Sequence, residues 1–380
     1  MPFELLWMDA GWFGEDREPY PFRTPLIVGG MMNDTLGKWH HSVGNWRVNR
    51  GVHPHGLKPY SDLAARCGMK FMLWFEIERT AKTAPLAKEH PELLLRIPNA
   101  EEYLLLDLGR PEARKWALDT IKARIAEDGV SMIRIDFNVN PLTAWAEADE
   151  PNRIGLTETY YIMGLYELWD ELRKLLPDAA IDNCASGGRR LDFEALTRSI
   201  ALWRVDGRQT PESHQLQVSE LSKWVPINSA GLGGNPTPVG SDYTLLSLCG
   251  NPSMFSYFTE EMAADPEWFR RIGARVRKLR PLFMQRLYHL TGQVWNTREF
   301  HALECLSFDG TSGAVLAFRR PDTPKSSLSL VLRNIDRTAA YELTGHDGST
   351  RDISGAELEH LTLDFPVPGS VQLLFFQKKP

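Results

Sequence analysis

Short apolar runs that end in polar groups, separated by stretches with helical spacing, recur from the start of the chain to about residue 282. Residues 3–8 run into Asp9, 69–75 into Glu76 and Glu78, and 132–135 into Asp136 and Asn138. Residues 179–184 run into a Gly187-Gly188 turn, 200–205 into Asp206, 225–229 into a Gly-rich stretch, and 253–258 into Glu260 and Glu261. Helical spacing covers 57–67, 86–95, 111–128, 155–176, 214–224, 243–249 and 266–282. Such alternation argues parallel βαβ units. Polar groups at one strand end after another indicate a (β/α)8 TIM barrel, whose chemistry collects on the C-terminal face of its strands. A doubly wound sheet is the alternative, but its sites gather at one switch point. Beyond about residue 285 the pattern changes to short strands (314–319, 328–332, 340–343, 370–376) divided by turn residues. The expected organisation is therefore a barrel domain over 1–288 and a small antiparallel β-sandwich domain over 289–380.

Several function classes drop out. The net charge of −6 over 380 residues offers no basic footprint for nucleic acid or anionic lipid. No apolar run approaches the ~18 residues of a membrane span. Met1-Pro2-Phe3-Glu4 lacks the features of a signal peptide, so a reducing, cytoplasmic setting is the expectation. The four cysteines, Cys67, Cys184, Cys249 and Cys305, show neither CxxC spacing nor a disulfide framework. No GxGxxG opens a helix and no GxxxxGK[ST] is present, so no nucleotide cofactor is implied.

Three constellations carry chemistry. Asp136 ends one strand and Asp206 another. Two carboxylates facing across a pocket suit glycosidic cleavage, one attacking the anomeric carbon and the other protonating the leaving oxygen. Arg134 lies two residues before Asp136 on the same side of its strand and can hold it ionised; a structural ion pair at a strand end is the plainer reading of the same residues. Metal ligation is disfavoured because no His cluster joins the acids, and a Ser–His–Asp hydrolase because no GxSxG is present. Secondly, 12 tryptophans are many for this length. Trp7, Trp74 and Trp203 read as barrel-wall residues, whereas Trp12 and Trp46 lie in polar, Gly-rich loops and suit stacking on a sugar. Thirdly, Cys184-Ala185-Ser186-Gly187-Gly188-Arg189-Arg190 has a glycine pair that lets backbone approach a ligand. Cys184 has no neighbouring His to activate it and reads as a pocket wall. The histidines of the early loop (His40, His41, His53, His55) read as solvated.

Six segments occur in register: Asp9-Ala10-Gly11-Trp12, Gly44-Asn45-Trp46, Trp74-Phe75-Glu76-Ile77-Glu78, Arg134-Ile135-Asp136-Phe137-Asn138, Cys184 to Arg190, and Trp203-Arg204-Val205-Asp206. Together they resemble the melibiase-like α-galactosidases of glycoside hydrolase family 36, over essentially the whole chain. The resemblance implies a retaining mechanism without metal or cofactor, with Asp136 as nucleophile and Asp206 as acid/base. It implies sugar contacts by Asp9, Trp12, Trp46, Glu76, Arg134, Asn138 and Arg204, and a pocket lined by Cys184, Gly187 and Gly188. A carbohydrate is then the partner, and a homo-oligomer is compatible with it. Retention would place the two catalytic carboxyls roughly 5–6 Å apart.

The chain departs from the family pattern at three positions. Ala10 replaces the second Asp of D-D-G-W, Arg134 replaces the Lys of K-x-D, and Val205 replaces the Ser of W-x-S-D. Arg is not equivalent to Lys at such a site, so the expected substrate widens from galactose to related α-linked sugars such as N-acetylgalactosamine. Transglycosylation by the same carboxylates and simple sugar binding are the other readings. Family members also carry an N-terminal β-sandwich and a barrel strand before D-D-G-W, whereas Asp9 stands nine residues from the start. The expectation is a truncated chain whose barrel lacks its first strand and exposes two edges.

Overall fold

The computed structural model describes residues 3–14, 39–206, 210–225, 227, 241–249, 265–292 and 295–380. Their contacts divide them into two compact units, residues 3–201 and Leu202–Pro380.

The first unit is built on a parallel sheet of five strands, β1 (Leu5–Met8), β2 (Lys70–Phe75), β3 (Met132–Ile135), β4 (Ile181–Asn183) and β5 (Ser199–Ile200). Among the described residues each strand pairs with its neighbour in chain order, with no reversal of strand order. Sequential parallel pairing of this kind is the order a (β/α)8 barrel uses. β2 and β3 are almost wholly buried, as parallel strands covered on both faces are.

The connecting helices follow from local chemistry. Helix Pro111–Asp128 starts with Pro at its first turn and stops at Gly129, whose φ of 69° is left-handed. Helix Leu156–Leu175 buries Tyr161, Gly164, Leu165, Leu168, Trp169 and Leu172, a single stripe at helical spacing. Gly164 is required by packing: a Cβ there would lie 1.9 Å from the Leu108 carbonyl oxygen.

One expectation needs correction. Residues 86–95 are not one helix. A short helix, Pro85–Glu89, gives way to a 3-10 turn at Pro91–Leu93 and a strand at Leu94–Arg96, because Pro91 has no N–H to donate and cannot continue the helix. Leu94–Arg96 and Arg79–Ala81 flank Tyr103–Leu106 in a small antiparallel sheet that the sequence did not suggest. In the stretch expected as a strand over 200–205, β5 pairs with β4 up to Ile200–Asp182, and Ala201 and Val205 each form a β-bridge. The strand expected at 253–258 lies outside the described residues, as does most of the one at 225–229.

The second unit contains helices Pro211–Leu221, Asp242–Ser247 and Pro266–Leu279 and an antiparallel sheet of six strands. The sheet runs Thr350–Ser354, Ala340–Thr344, Ser370–Lys378, Ser312–Arg319, His301–Leu306, Arg286–His289. A two-stranded sheet, Ser327–Ser329 with Thr362–Asp364, contributes Leu328 and Leu363 to the same core as Val315, Tyr341 and Phe376. Helix Pro211–Leu221 is tied to this β-structure by Arg320 Nε donating to Gln215 Oε1 at 2.9 Å and by a Ser219 Oγ–His301 Nε2 bond of 3.0 Å.

Candidate active site

In the first unit the C-terminal ends of β2, β3 and β4 bring one buried polar cluster together. The parallel register sets Trp74 beside Arg134 and Arg134 beside Asp182. Asp136, one residue past β3, is 7% exposed. Its two oxygens accept four hydrogen bonds. Oδ1 takes the Phe137 N–H at 2.7 Å and the Ser186 N–H at 3.1 Å. Oδ2 takes Trp74 Nε1–H at 3.2 Å and Asn138 Nδ2–H at 3.0 Å. Burial pushes its pKa up, but the nearby Arg134 charge and these bonds outweigh burial and hold it below the ordinary carboxylate value.

Glu76, one residue past β2, is fully buried and goes the other way. Burial raises it to about 7, against the lowering effect of Arg79, with Asp136 adding to the rise. It accepts Asn138 N–H on Oε1 at 2.7 Å, and Asn138 Nδ2–H (3.2 Å) and Arg79 Nη2–H (2.5 Å) on Oε2. The Asn138 amide therefore joins the two carboxylates. Its own Oδ1 accepts Ser186 Oγ–H at 2.6 Å. Ser186 has φ 51° and Gly187 φ 96°, a tight turn that aims the Ser186 N–H at Asp136. A low and a raised carboxyl side by side is the pattern from which acid–base roles are assigned.

The remaining expected residues fall as follows. Arg134 is buried, and its direct ion-pair partner is Asp182, with the guanidinium 4.6 Å from the Trp7 ring centroid. Arg134 also lowers the Asp136 pKa through its charge, as expected from its place on the strand, while its own ion pair is made with Asp182. Cys184 is fully buried, its sulfur accepting the Gly187 N–H at 3.3 Å, and burial pushes the thiol well above its ordinary value; a neutral thiol is no nucleophile. Gly188 is half-buried. Asp9, half-buried one residue past β1, accepts the Ala10 N–H at 2.7 Å.

Trp12 and Trp46 lie outside helices and strands, as expected, but both are buried. Both pack in an aromatic cluster with Phe13, Trp74 and Phe75. Trp12 Nε1–H donates to the Trp74 carbonyl at 2.8 Å, while Trp46 Nε1 is buried with no acceptor among the described residues. Glycines such as Gly44 suggested an open loop, but Gly44 sits against Thr80, where a Cβ would come within 2.7 Å. Arg204 and Asp206 belong to the second unit. Arg204 is buried; Asp206 is exposed, and its Oδ1 accepts Trp203 Nε1–H at 2.5 Å.

Sequence reasoning missed Trp74, Ser186 and Asp182. The one available signal was Asp182 inside an apolar run, because a charge in a buried strand needs a partner on the strand beside it. It also missed the cluster in which Glu78, fully buried, accepts Arg190 Nη2–H at 2.7 Å and Tyr161 OH at 2.6 Å. Among the described residues no three His, Cys, Asp or Glu side chains are grouped to hold a metal ion.

A model of the melibiase family matches residues 2–263. The chain belongs to the melibiase family. It is 24% identical over 379 residues to α-galactosidase AgaA of Geobacillus stearothermophilus, covering 95% of this chain and 49% of that protein. With the probable α-galactosidase C of Aspergillus flavus it shares 25% identity over 407 residues, 99% of this chain and 49% of the relative. The chain thus spans about half the length of these curated relatives. The crystal structure of the family 36 α-galactosidase AgaA superposes with a TM-score of 0.79 at 22% identity, covering 99% of this chain and 51% of that one. The galactosidase domain of AgaSK gives 0.76 at 20% identity, covering 99% and 50%. This melibiase-family chain accordingly has the mixed α/β fold of those enzymes, a parallel sheet followed by antiparallel sheets.

Proposed function

We propose that the protein is a retaining glycoside hydrolase that removes terminal α-linked galactose or a closely related sugar. The observation that carries this reading is the four-donor cradle that keeps Asp136 ionised at 7% exposure. A buried carboxylate so arranged is suited to attack, and its donors fix its direction in advance. Asp136 forms the covalent glycosyl ester while Asp206 protonates the departing glycosidic oxygen; Asp206 then takes a proton from the water that hydrolyses the ester. Trp203 Nε1, donating to Asp206, orients that carboxyl. Names of relatives such as α-galactosidase AgaA support galactose as the sugar. In this reading the five parallel strands are part of a (β/α)8 barrel and the Asp136 cradle lies on its C-terminal face.

The test is turnover of nitrophenyl α-glycosides. Asp136→Asn and Asp206→Asn should each lower kcat by at least about 10³-fold, with azide restoring activity to the Asp206 variant alone. The first product seen by NMR should be the α-anomer. Ordinary activity in Asp136→Asn, or a β-anomer as first product, overturns the assignment.

A further inference from the structure

Arg189 is an exposed residue of the turn that follows β4. Its hydrogen bonds among the described residues go to two carbonyls and a hydroxyl. Nε–H donates to the Ala185 carbonyl at 2.5 Å, and Nη2–H to the Phe137 carbonyl at 3.2 Å and to Ser186 Oγ at 3.0 Å. Holding a long, exposed side chain in one rotamer costs entropy, and three bonds from one rigid fork offset that cost.

Each of these acceptors is one step from a buried carboxylate. A trans peptide is planar, and its C=O and N–H point to opposite sides. The Ala185 carbonyl shares its peptide with the Ser186 N–H, which donates to Asp136 Oδ1. The Phe137 carbonyl shares its peptide with the Asn138 N–H, which donates to Glu76 Oε1. Holding both carbonyls on the guanidinium therefore turns both N–H groups toward the carboxylates.

The hydroxyl acts as a relay. A guanidinium can only donate, so Ser186 Oγ accepts from Arg189 and gives its single hydrogen to Asn138 Oδ1, 2.6 Å away. With Oδ1 so engaged, Asn138 Nδ2 is left facing Asp136 Oδ2 and Glu76 Oε2, at 3.0 and 3.2 Å. Ser186 has φ 51°, a left-handed value that a non-glycine residue keeps only where its surroundings impose it. Arg189 is bonded to Ser186 and to the residue before it. The next residue, Arg190, does not share this arrangement, because its guanidinium pairs with Glu78.

We propose that Arg189 is a positioning residue for Asp136. It sets two of the four donors on that carboxylate, the Ser186 N–H through its peptide and the Asn138 amide through the Ser186 hydroxyl. The inference rests on the hydrolase reading given above.

The test is steady-state kinetics of the full chain. The substrates are the para-nitrophenyl α-glycoside (galactoside, N-acetylgalactosaminide or glucoside) that the parent turns over fastest, and its ortho-nitrophenyl counterpart. Arg189→Met keeps the length of the stem and deletes the donors. It should lower kcat about 10-fold or more, the loss expected for a hydrogen bond to a charged group. KM should change by less than about 2-fold, alike for both leaving groups. The acidic limb of the kcat/KM profile should move to higher pH by up to about one unit, because ionised Asp136 has lost donors. Ser186→Ala should act in the same direction, and the double variant should lose less than the product of the two single losses, since both act on one relay. Arg189→Lys keeps the charge without the fork and should fall between the parent and the Met variant; it decides in place of Arg189→Met if circular dichroism melting shows that variant unfolded. A parent that turns over no glycoside, or a fully active Asp136→Asn, overturns the hydrolase reading and this inference with it. With an active parent and an inactive Asp136→Asn, three results overturn this inference alone. They are parent kcat in both Arg189 variants, a loss confined to KM that varies with the leaving group, and an unmoved acidic limb with losses that multiply in the double variant.

Discussion

Glu76→Gln tests the electrostatics of the cluster directly. Glu76 is completely buried, and its folded pKa is raised from 4.5 to about 7. A group raised in this way binds its proton more tightly when folded than when unfolded. Between pH 4.5 and about 7 the unfolded chain has therefore lost a proton that the folded chain retains, and stability falls as pH rises through that window. At 1.36 kcal/mol per pKa unit, the fall attributable to Glu76 is roughly 3 kcal/mol. Gln preserves the side-chain shape and cannot ionise. It also replaces an acceptor of Asn138 and Arg79 with an amide, but that penalty is the same at every pH. The difference in unfolding free energy, variant minus parent, should thus shift in favour of the variant by roughly 3 kcal/mol between pH 4 and pH 8. Urea unfolding followed by tryptophan fluorescence, at closely spaced pH values and with equal m-values, measures it. A difference that stays flat across that window, or that moves against the variant, refutes the reasoning.

Other expectations follow from single contacts. Asp182→Asn leaves the Arg134 guanidinium buried without its partner and should cost about 3–5 kcal/mol; a loss under about 1 kcal/mol in urea unfolding would show that the charge finds relief elsewhere. Gly164→Ala drives a Cβ into the Leu108 carbonyl and should destabilise by at least about 1–3 kcal/mol, seen as a lowered Tm. Trp203→Phe removes the donor to Asp206 and should lower kcat more than it raises KM, with the basic limb of the pH–rate profile displaced; an unchanged profile would show that the indole only packs.

What the sequence disclosed was what local chemistry controls. Helix Pro111–Asp128 was legible because Pro begins it and Gly129 ends it. β3 and Asp136 were legible because an apolar run ends abruptly in polar residues. What stayed hidden depended on register and on long-range packing. Arg134 was read as serving Asp136, its neighbour along the strand, and its charge does so; its ion-pair partner Asp182 is set by the pairing of β3 with β4, which no local pattern reveals. Trp12 and Trp46 were read as loop residues because glycines surround them, yet five aromatic rings draw that loop inward. The small sheet over residues 79–106 was missed because strands of three or four residues are too short to show alternation.

The order in which the parallel strands join also sets how the sheet assembles. Ile181 pairs with Ser199 only 18 residues on, Ile133 with Ile181 after 48, Met72 with Met132 after 60, and Leu5 with Lys70 after 65. The entropy of closing a loop grows with the logarithm of its length, so docking β1 costs roughly 1 kcal/mol more than joining β5 to β4. β1 is also only half-buried, where β2 to β4 are buried almost throughout. With less burial to hold it, β1 is expected to open more readily than β2 to β4, with faster amide exchange along Leu5–Met8 as the signature. Asp9 rides on that strand, whereas the Asp136 cradle is complete as soon as β2, β3 and β4 have met.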